Sequence, residues 1–204
     1  MKDYKVWKII KIQDKPEDKT LVKNKWVFEI KRSGRFRARL VACGYSQIPG
    51  TDFTESHSPV INEVTVRILI IFEMVYKMKS KLVDIETAFL HGEFNQGEEV
   101  YMLIPEGLKA KDDECLELLK TIYGLVQAAR AFFLKLGEVL KKIGFTQSAA
   151  DPCLFIKRDK FGTVFMATWV DDSYCLGNEE ALREMIKALE GFFTLKIEED
   201  TKDF

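Results

Sequence analysis

The sequence TWVDDSYCLG at residues 168–177 places two adjacent aspartates, Asp171 and Asp172, between two apolar runs that favour β-strands. This pattern predicts a hairpin with a two-residue turn at the aspartates. Such turns favour Asn-Gly or Asp-Gly because both central residues need positive φ, so Asp-Asp is a poor choice. A local rule broken in this way indicates a functional site. Carboxylate oxygens are the ligands that Mg²⁺ prefers, so we expect a bound cation here; the alternative is a solvated acidic turn.

The composition is that of a folded protein without a strong overall charge. The chain has 204 residues, of which 47% are apolar, and its net charge is −1. This length suits one large domain or two small ones with a sizeable core. Basic residues cluster locally, however: seven of them lie between Lys23 and Arg39, with Glu29 as the one acid. Such a patch suits a phosphate-bearing ligand, although a solvated strand face has the same pattern.

Several classes of protein are disfavoured by the same sequence. The four cysteines are widely spaced, form no CxxC motif and lie far from the two histidines, which argues against a zinc site. Such cysteines are typical of reduced thiols in an intracellular protein. The N-terminus lacks the apolar stretch of a signal peptide. The longest apolar run, ILIIF at 68–72, is too short to cross a membrane.

Periodicity and turn residues predict the order of the helices and strands. Two strands flank a turn at Ser33-Gly34, and their alternation puts the guanidinium groups of Arg35, Arg37 and Arg39 on one face. Residues 45–63 and 91–113 are expected to be loops. Helices are expected at 66–78 (buried), at about 127–143 and after the N-cap Asn178, and further strands at 81–86, 154–158, 163–170 and 193–198.

The order from Leu82 onward is strand, helix, hairpin, helix, strand, which predicts an α+β fold with a ferredoxin-like split β-α-β arrangement. That topology places Asp84 at the end of one strand and Asp171 and Asp172 at the tip of the central hairpin. If these strands are neighbours, three carboxylates converge. They would repel one another without cations, and two-metal sites of polymerases and nucleases solve that problem.

The motifs, taken together and in order, resemble the reverse transcriptases of copia-type LTR retrotransposons. The lead-in KVWKIIKIQDKPEDKTLVKNKWVF is similar to the usual one in that family. The other similar blocks are KWVFEIKRSGRFRARLVACGYSQ at 25–47, GTDFTESHSPV at 50–60, VDIETAFLHGE at 83–93, EVYMLIPEGL at 99–108, TIYGLVQAARAFF at 121–133, GFTQSAADPCLFIK at 144–157 and WVDD at 169–172. WVDD alone is weak evidence, whereas the whole series in the same order is strong.

The resemblance implies a fold, an activity and its partners. It implies a fingers-like segment at 1–80 and a palm-like segment at 81–204, with an antiparallel palm sheet and helices on one face. The thumb, connection and ribonuclease H are expected outside this chain. The implied activity is RNA-directed DNA synthesis with two Mg²⁺ ions, or Mn²⁺, on an RNA or DNA template with primer and dNTP. The remainder of the Pol polyprotein is a further implied partner, no membrane is expected, and the implied location is a cytoplasmic virus-like particle or the nucleus.

The resemblance also implies a role for individual residues. Asp84, Asp171 and Asp172 match the catalytic, metal-holding aspartates, and the carbonyl of Ile85 is a further metal ligand. The implied nucleotide-binding residues are the triphosphate-holding Lys31, Arg37 and Arg39, the aromatic steric gate Phe89 and the pocket-lining Gln127. Each has an alternative role: Phe89 as a core residue, Gln127 as the start of a helix, and the arginines as solvated strand charges.

Several positions depart from the family pattern. The residues found, with the family's residue in brackets, are Cys43 (Lys), His91 (Asn), Val126 (Lys), Ala129 (Pro), Phe132 (Trp) and Trp169 (Tyr). None removes a metal ligand. These departures favour an alternative, a catalytically weak or inactive palm-like module that binds nucleic acid or a partner protein. A second alternative is a metal-dependent phosphodiesterase or nucleotide cyclase on the same topology. We also expect weak or no activity from this chain alone, because it would lack a thumb.

Overall fold

A computed structural model describes residues 4–31 and 34–199. These residues form three α-helices and twelve β-strands, a mixed α/β architecture rich in antiparallel pairs. The chain divides into two compact units: unit 1 is Met1–His57 with Phe89–Phe132, and unit 2 is Ser58–Ala88 with Phe133–Phe204. The segments 1–80 and 81–204 divide the chain by implied function rather than by packing, and that division stays a prediction.

Unit 1 contains two sheets. The four-stranded sheet has the order β1-β7-β6-β2, with β2 parallel to β6 and the other pairs antiparallel. Its strands are β1 (Trp7–Lys11), β2 (Leu21–Val22), β6 (Val100–Met102) and β7 (Glu114–Leu118). β6 lies in a segment that we expected to be loop. Its three residues are all buried, and Val100 and Met102 belong to the unit 1 core, which favours a strand here.

The second sheet of unit 1 is the expected hairpin of β3 (Asn24–Ile30) and β4 (Phe36–Ala42). Gly34 in its turn has a φ of +77°, a left-handed conformation that glycine adopts at no steric cost. Arg32 and Ser33, which belong to the predicted patch and turn, lie outside the described residues. The pairing puts Glu29 opposite Arg37 on one face and Phe28 opposite Ala38 on the other.

Unit 2 is built on a six-stranded antiparallel sheet of order β12-β5-β11-β10-β9-β8. Its strands are β5 (Lys79–Ile85), β8 (Thr146–Gln147), β9 (Leu154–Asp159), β10 (Gly162–Trp169), β11 (Asp172–Gly177) and β12 (Leu195–Glu199). Strand β5, second from one edge of the sheet, therefore pairs with β11 on one side and with the edge strand β12 on the other. This placement assembles the candidate site.

The three helices are α1 (Glu63–Tyr76), α2 (Ala128–Lys142) and α3 (Glu179–Glu190). The predicted N-cap is confirmed: Asn178 Oδ1 accepts a hydrogen bond from the amide of Ala181 at 2.9 Å. Asn62 caps α1 in the same way and accepts from the amide of Val64 at 2.9 Å. These caps satisfy amides that the first helical turn leaves without a partner. No helix in 4–31 or 34–199 has the length and hydropathy to cross a membrane.

The expectation that α1 is a buried helix is wrong. Leu69 is its one fully buried residue in the part of the chain described. Its sequence is apolar on all sides, so periodicity could not reveal that a single side contacts the sheet. Several large apolar side chains of α1 are therefore exposed. The four cysteines are buried free thiols, consistent with the expected reduced state.

Candidate active site

Asp84 and Asp172 lie directly opposite each other on β5 and β11. The next pair in this register is hydrogen-bonded, since the amide of Ile85 donates to the carbonyl of Asp171 at 3.0 Å. Pairs alternate along an antiparallel ladder, so Asp84 and Asp172 form a non-hydrogen-bonded pair, the type in which opposing side chains are closest. Both carboxylates therefore lie on the same face of the sheet.

The other neighbour of Asp84 supplies a cation. Lys196 on β12 lies opposite Asp84, and its ammonium forms an ion pair with Glu198 two residues along the strand. A cavity of about 520 Å³ opens on this face of the sheet. Its lining consists of Leu82, Asp84, Trp169, Asp172, Lys196 and Glu198.

The carboxylates in and next to this cavity repel one another. Partial burial raises the pKa of Asp172, and the carboxylates of Asp171, Asp84 and Glu198 raise it further, while Lys196 acts in the opposite direction. The pKa of Lys196 is raised, mainly by its ion pair with Glu198 and also by Asp84 and Asp172. The face is thus an anionic site with one internal counter-charge.

The hairpin turn lies one residue earlier than expected. Trp169 pairs with Asp172, so the central turn residues are Val170 and Asp171, and Asp172 begins β11. Val170 takes the positive φ, 56°, rather than an aspartate. Positive φ is a true outlier for a β-branched residue, and such strain concentrates at functional sites.

The fit of a divalent cation can be judged from the donors. Paired carboxylates are suitable hard ligands for Mg²⁺, and their mutual repulsion is what a cation relieves. Within residues 4–31 and 34–199, however, no group of three or more His, Cys, Asp or Glu side chains is arranged to share an ion. The sheet brings Asp84 and Asp172 together. A metal site that also includes Asp171 stays a prediction. Ile85 is buried, and its carbonyl as a ligand also stays a prediction.

The candidate gate, Phe89, belongs to unit 1. It lies in a short 3-10 helix and packs partly buried against the core of that unit. Its ring meets the ring of Tyr123 edge-to-face, with centroids 4.5 Å apart. Thr121 Oγ1 donates to the Phe89 carbonyl at 2.6 Å, which fixes the backbone. These contacts hold the ring firmly, as either a gate or a core residue requires.

Gln127 is only 2% exposed and lies in an internal network of unit 1. Its side-chain amide donates to the Asp52 carbonyl at 3.2 Å, and its side-chain carbonyl accepts from Gln47 at 3.1 Å. Gln47 in turn accepts from the amide of Val126 at 2.9 Å. In this structure the Gln127 side chain joins the loop of Gln47 to the start of α2.

The predicted triphosphate-holding residues lie on the β3–β4 hairpin of unit 1. Arg39 forms an ion pair with Glu29 at 2.8 Å, and its guanidinium carbon lies 5.9 Å from the ring centroid of Tyr123. Arg37 lies opposite Glu29, and Lys31 is exposed just after β3. The two arginines share one face of the hairpin, as predicted, and Glu29 partly neutralises them.

The comparison with protein families is decisive. The sequence model of the family described as "Reverse transcriptase (RNA-dependent DNA polymerase)" matches residues 4–204. The chain belongs to this reverse transcriptase family. The resemblance to copia-type elements is confirmed by relatives from transposons of that type.

At least three plant relatives exceed 30% identity. The chain is 36% identical over 197 residues, 93% of its length, to "Retrovirus-related Pol polyprotein from transposon RE2" of Arabidopsis thaliana. It is 33% identical over 185 residues, 87% of its length, to "Retrovirus-related Pol polyprotein from transposon TNT 1-94" of Nicotiana tabacum. It covers only 13% and 14% of these two proteins, so it corresponds to a small part of each relative.

Sequence reasoning about this reverse transcriptase chain missed four residues of the cavity: Leu82, Trp169, Lys196 and Glu198. Trp169 was noted only as a departure from the family's tyrosine. Lys196 and Glu198 alternate in the predicted strand FTLKIE, and that alternation was the available signal. It became informative only once the structure paired this strand with the one that carries Asp84.

Proposed function

We propose that this chain is the fingers–palm part of an RNA-directed DNA polymerase of a copia-type retrotransposon. The in-register placement of Asp84 and Asp172 beside a strained hairpin carries the proposal. Like charges in the closest cross-strand position are unfavourable, and nucleotidyl transfer is a function that needs them there. The relatives' names, which describe Pol polyproteins, support the same assignment.

We infer that the six-stranded sheet of unit 2 forms the core of a ferredoxin-like palm. The order β5, α2, the β9–β10–β11 meander, α3 and β12 supports this assignment, as does the antiparallel pairing of β12 and β11 on either side of β5. In this proposal residues 1–80 supply the fingers and 81–204 the palm. With this strand order, the carboxylates of Asp84 and Asp172 lie at the ends of adjacent strands.

The proposed chemistry joins the primer 3′-oxygen to the α-phosphorus of a dNTP, with pyrophosphate as the leaving group. Asp84, Asp171 and Asp172, with the carbonyl of Ile85, would hold two Mg²⁺ ions. When bound, these ions would lower the pKa of the attacking hydroxyl and neutralise charge on the triphosphate. The ammonium of Lys196 offsets part of the repulsion at Asp172, whose raised pKa it acts to lower.

Residues of unit 1 would bind the incoming nucleotide. Lys31, Arg37 and Arg39 offer cations for the triphosphate, and electrostatic positioning of this kind is the main contribution that proteins make to phosphoryl chemistry. Phe89 would exclude a ribose 2′-hydroxyl, and Gln127 would shape the nucleotide pocket. The proposed partners are primed RNA or DNA, dNTP and the remainder of a Pol polyprotein, in a virus-like particle or the nucleus.

A second candidate function is a non-catalytic module that binds nucleic acid or a partner protein. The internal hydrogen bonds of Gln127 and the ion pair of Arg39 with Glu29 favour it, because both side chains are engaged within the protein. The lysines expected by family resemblance at Cys43 and Val126 are also missing. The retained carboxylate pair disfavours it, since a module without catalysis gains nothing from that repulsion.

A single-turnover extension assay separates the two candidates. The chain is mixed in excess with a DNA primer on an RNA template, one dNTP and Mg²⁺ or Mn²⁺, so that weak primer binding does not limit the signal. We expect slow extension by one nucleotide, in line with the weak activity expected of this chain alone, and its loss in Asp84→Asn and Asp172→Asn. Glu180→Gln, on the exposed first turn of α3, is the matched control. Template binding without extension would favour the non-catalytic module.

A further inference from the structure

An exposed apolar stripe runs along α1 in unit 2. It consists of Val64, Ile68, Ile71 and Val75, which are 59%, 45%, 55% and 64% exposed. Their separations of four, three and four residues place them on one side of the helix, with the spacing of a helix–helix seam. The stripe covers 11 residue steps, or about 16 Å along the helix axis. Its length therefore suits a partner helix of three to four turns.

The opposite side of α1 is anchored to the sheet. Leu69 and Phe72 pack in the core of unit 2. Glu73 accepts hydrogen bonds from Ser80 Oγ and from the hydroxyl of Tyr174, both at 2.5 Å. Burial and the Glu73 carboxylate raise the pKa of Tyr174, so its hydroxyl keeps this proton at neutral pH. The stripe is consequently held in a fixed orientation before any partner arrives.

A cavity of about 700 Å³ adjoins the C-terminal end of α1. Aromatic rings form part of its wall, and the ring of Phe72 packs edge-to-face against Tyr76 and Phe165, with centroid distances of 5.5 and 5.9 Å. The cationic side chains of the lining are Lys77, Lys79 and Arg158. Its acidic residue, Glu179, forms an ion pair with Lys81 at 3.3 Å. The cavity lining therefore combines aromatic rings with three cationic side chains and one acid that is already paired.

We propose that this stripe and this cavity together form a docking surface for an amphipathic protein helix with acidic residues at one end. The apolar seam would pack along Val64 to Val75, and the acidic end would lie over Lys77, Lys79 and Arg158. The surface lies in unit 2 on residues other than the candidate catalytic carboxylates. It is independent of the proposed polymerase chemistry.

Two other occupants fit less well. The stripe offers aliphatic groups and no aromatic platform along its length, whereas single-stranded nucleic acid needs rings and a continuous basic groove. A second copy aligned antiparallel would bring the first turn of its own α1 to the cavity. That turn carries Glu63, which is already paired with Arg67, so it brings no net negative charge. An amphipathic partner helix with an acidic end can pack against the apolar stripe and also pair with the cationic side chains of the cavity.

A designed peptide tests the proposal. The probes are three fluorescein-labelled helical peptides of 18 residues with leucines at the heptad seam positions. The first has four glutamates at its N-terminal end and the second has them at its C-terminal end. The third has lysines in place of the glutamates. Anisotropy titration with the 204-residue chain should show saturable binding of one glutamate peptide, about tenfold tighter than the lysine peptide.

Variants then separate the two parts of the surface. Ile71→Ser with Val75→Ser should weaken binding about tenfold, since buried apolar anchors dominate helix docking. Arg158→Glu should weaken it about threefold and reduce its salt dependence. Lys187→Glu, an exposed charge on α3, is the matched control and should leave binding unchanged. Because all four positions are exposed, circular dichroism should report the same fold for every variant.

The proposal is overturned by any of three results. These are no saturable binding of either glutamate peptide, equal binding of the lysine peptide, or displacement of the bound peptide by a poly-dT oligonucleotide. Sedimentation that reveals a dimer lost on Ile71→Ser would instead assign the stripe to a second copy of the chain, and this too would contradict the proposal.

Discussion

Asp84 and Asp172 face each other across β5 and β11 as a non-hydrogen-bonded pair, and Lys196 lies opposite Asp84 on its other side. The sheet thus presents two carboxylates at the closest cross-strand spacing and one ammonium beside them. Like charges on directly facing residues weaken a sheet. A shift of the strand register by one residue would remove the repulsion, because it would move one carboxylate to the other face. The register therefore preserves an arrangement that favours function over stability.

Removing one charge of this pair should stabilise the fold. Asp172→Asn keeps the size of the side chain and abolishes the repulsion with Asp84, so we expect the free energy of unfolding to rise by up to about 1 kcal/mol without metal. Chemical denaturation at pH 7 in EDTA measures it. Asp159→Asn is the control, because Asp159 accepts from the amide of Phe161 at 2.9 Å and its loss should be destabilising. A lower stability of Asp172→Asn would contradict the account.

Val170 offers a test of strain at the hairpin. Its φ of 56° suits glycine, so Val170→Gly should raise the free energy of unfolding by about 1 kcal/mol, after the larger entropy loss of glycine is deducted. Val170→Ala retains a Cβ and should give no such gain. Thermal unfolding of the three proteins measures the difference. Equal destabilisation by both substitutions would mean that the turn is not strained.

Asp151 is expected to be a main polar support of unit 2. It is 3% exposed and accepts hydrogen bonds from the Thr65 hydroxyl at 2.6 Å and from the amides of Asn62 and Cys153, both at 2.9 Å. Asp151→Asn removes the charge and replaces an acceptor by a donor, so we expect a loss of about 2–3 kcal/mol in urea denaturation. The exposed Asp112→Asn is the control, and a loss no larger than that of the control would refute the role.

The same carboxylate predicts a pH dependence. Burial alone would raise the pKa of Asp151, but hydrogen bonds from Thr65, Asn62 and Cys153 outweigh it and hold the pKa below its usual range. The folded chain therefore binds this proton less tightly than the unfolded chain does. The stabilisation is complete above the unfolded pKa of about 3.9 and is lost as pH falls through the lower folded pKa. The stability difference between the chain and Asp151→Asn should accordingly be flat at neutral pH and shrink in acid; a difference that grows in acid would contradict this.

Gly124 should tolerate no side chain. Its φ is +90°, and an added Cβ would lie 2.1 Å from the Ala42 carbonyl oxygen, a backbone atom that cannot move aside cheaply. Gly97 has a similar φ of +83° but open space around the position. Gly97→Ala should cost about 1–2 kcal/mol from backbone strain, and Gly124→Ala at least twice as much. Urea denaturation compares them, and equal losses would show that the contact with Ala42 is unimportant.

The choice between ribonucleotides and deoxyribonucleotides shows whether Phe89 is a steric gate or only a core residue. If its ring excludes the 2′-hydroxyl, Phe89→Ala should raise ribonucleotide use relative to deoxyribonucleotide use in the single-turnover assay. Thr121→Val is the control, because it removes the hydrogen bond to the Phe89 carbonyl while keeping the ring. A lower rate with an unchanged ratio would mean that Phe89 acts only through its packing against Tyr123.

The sequence predicted the parts of the fold whose signals are local. The hairpin of β3 and β4, the strand of Asp84 and the cap at Asn178 each follow from alternation or from a capping residue. The short strands β1, β2, β6, β7 and β8 were missed, because they have two to five residues and form only through pairing with other segments of the chain. Such pairing depends on the whole chain and leaves little periodicity in any window.

The candidate site was predicted in part for the same reason. Asp84 and Asp172 could be placed at neighbouring strand ends from element order alone. Their register and the approach of Lys196 depend on the pairing of β5 with β11 and β12, which no local pattern specifies. The shift of the turn to Val170 could not be predicted from the sequence either, since sequence rules assign positive φ to aspartate in preference to valine.

The central claim is that the face of Asp84 and Asp172 holds the metal ions of nucleotidyl transfer. Anomalous diffraction from crystals of the chain with Mn²⁺, primer–template and a non-hydrolysable dNTP analogue tests it most directly. The account predicts anomalous peaks in contact with the carboxylates of both Asp84 and Asp172, and their loss in Asp84→Asn crystals. Clear density for the dNTP analogue with Mn²⁺ bound elsewhere, or with no Mn²⁺ at these carboxylates, would contradict it.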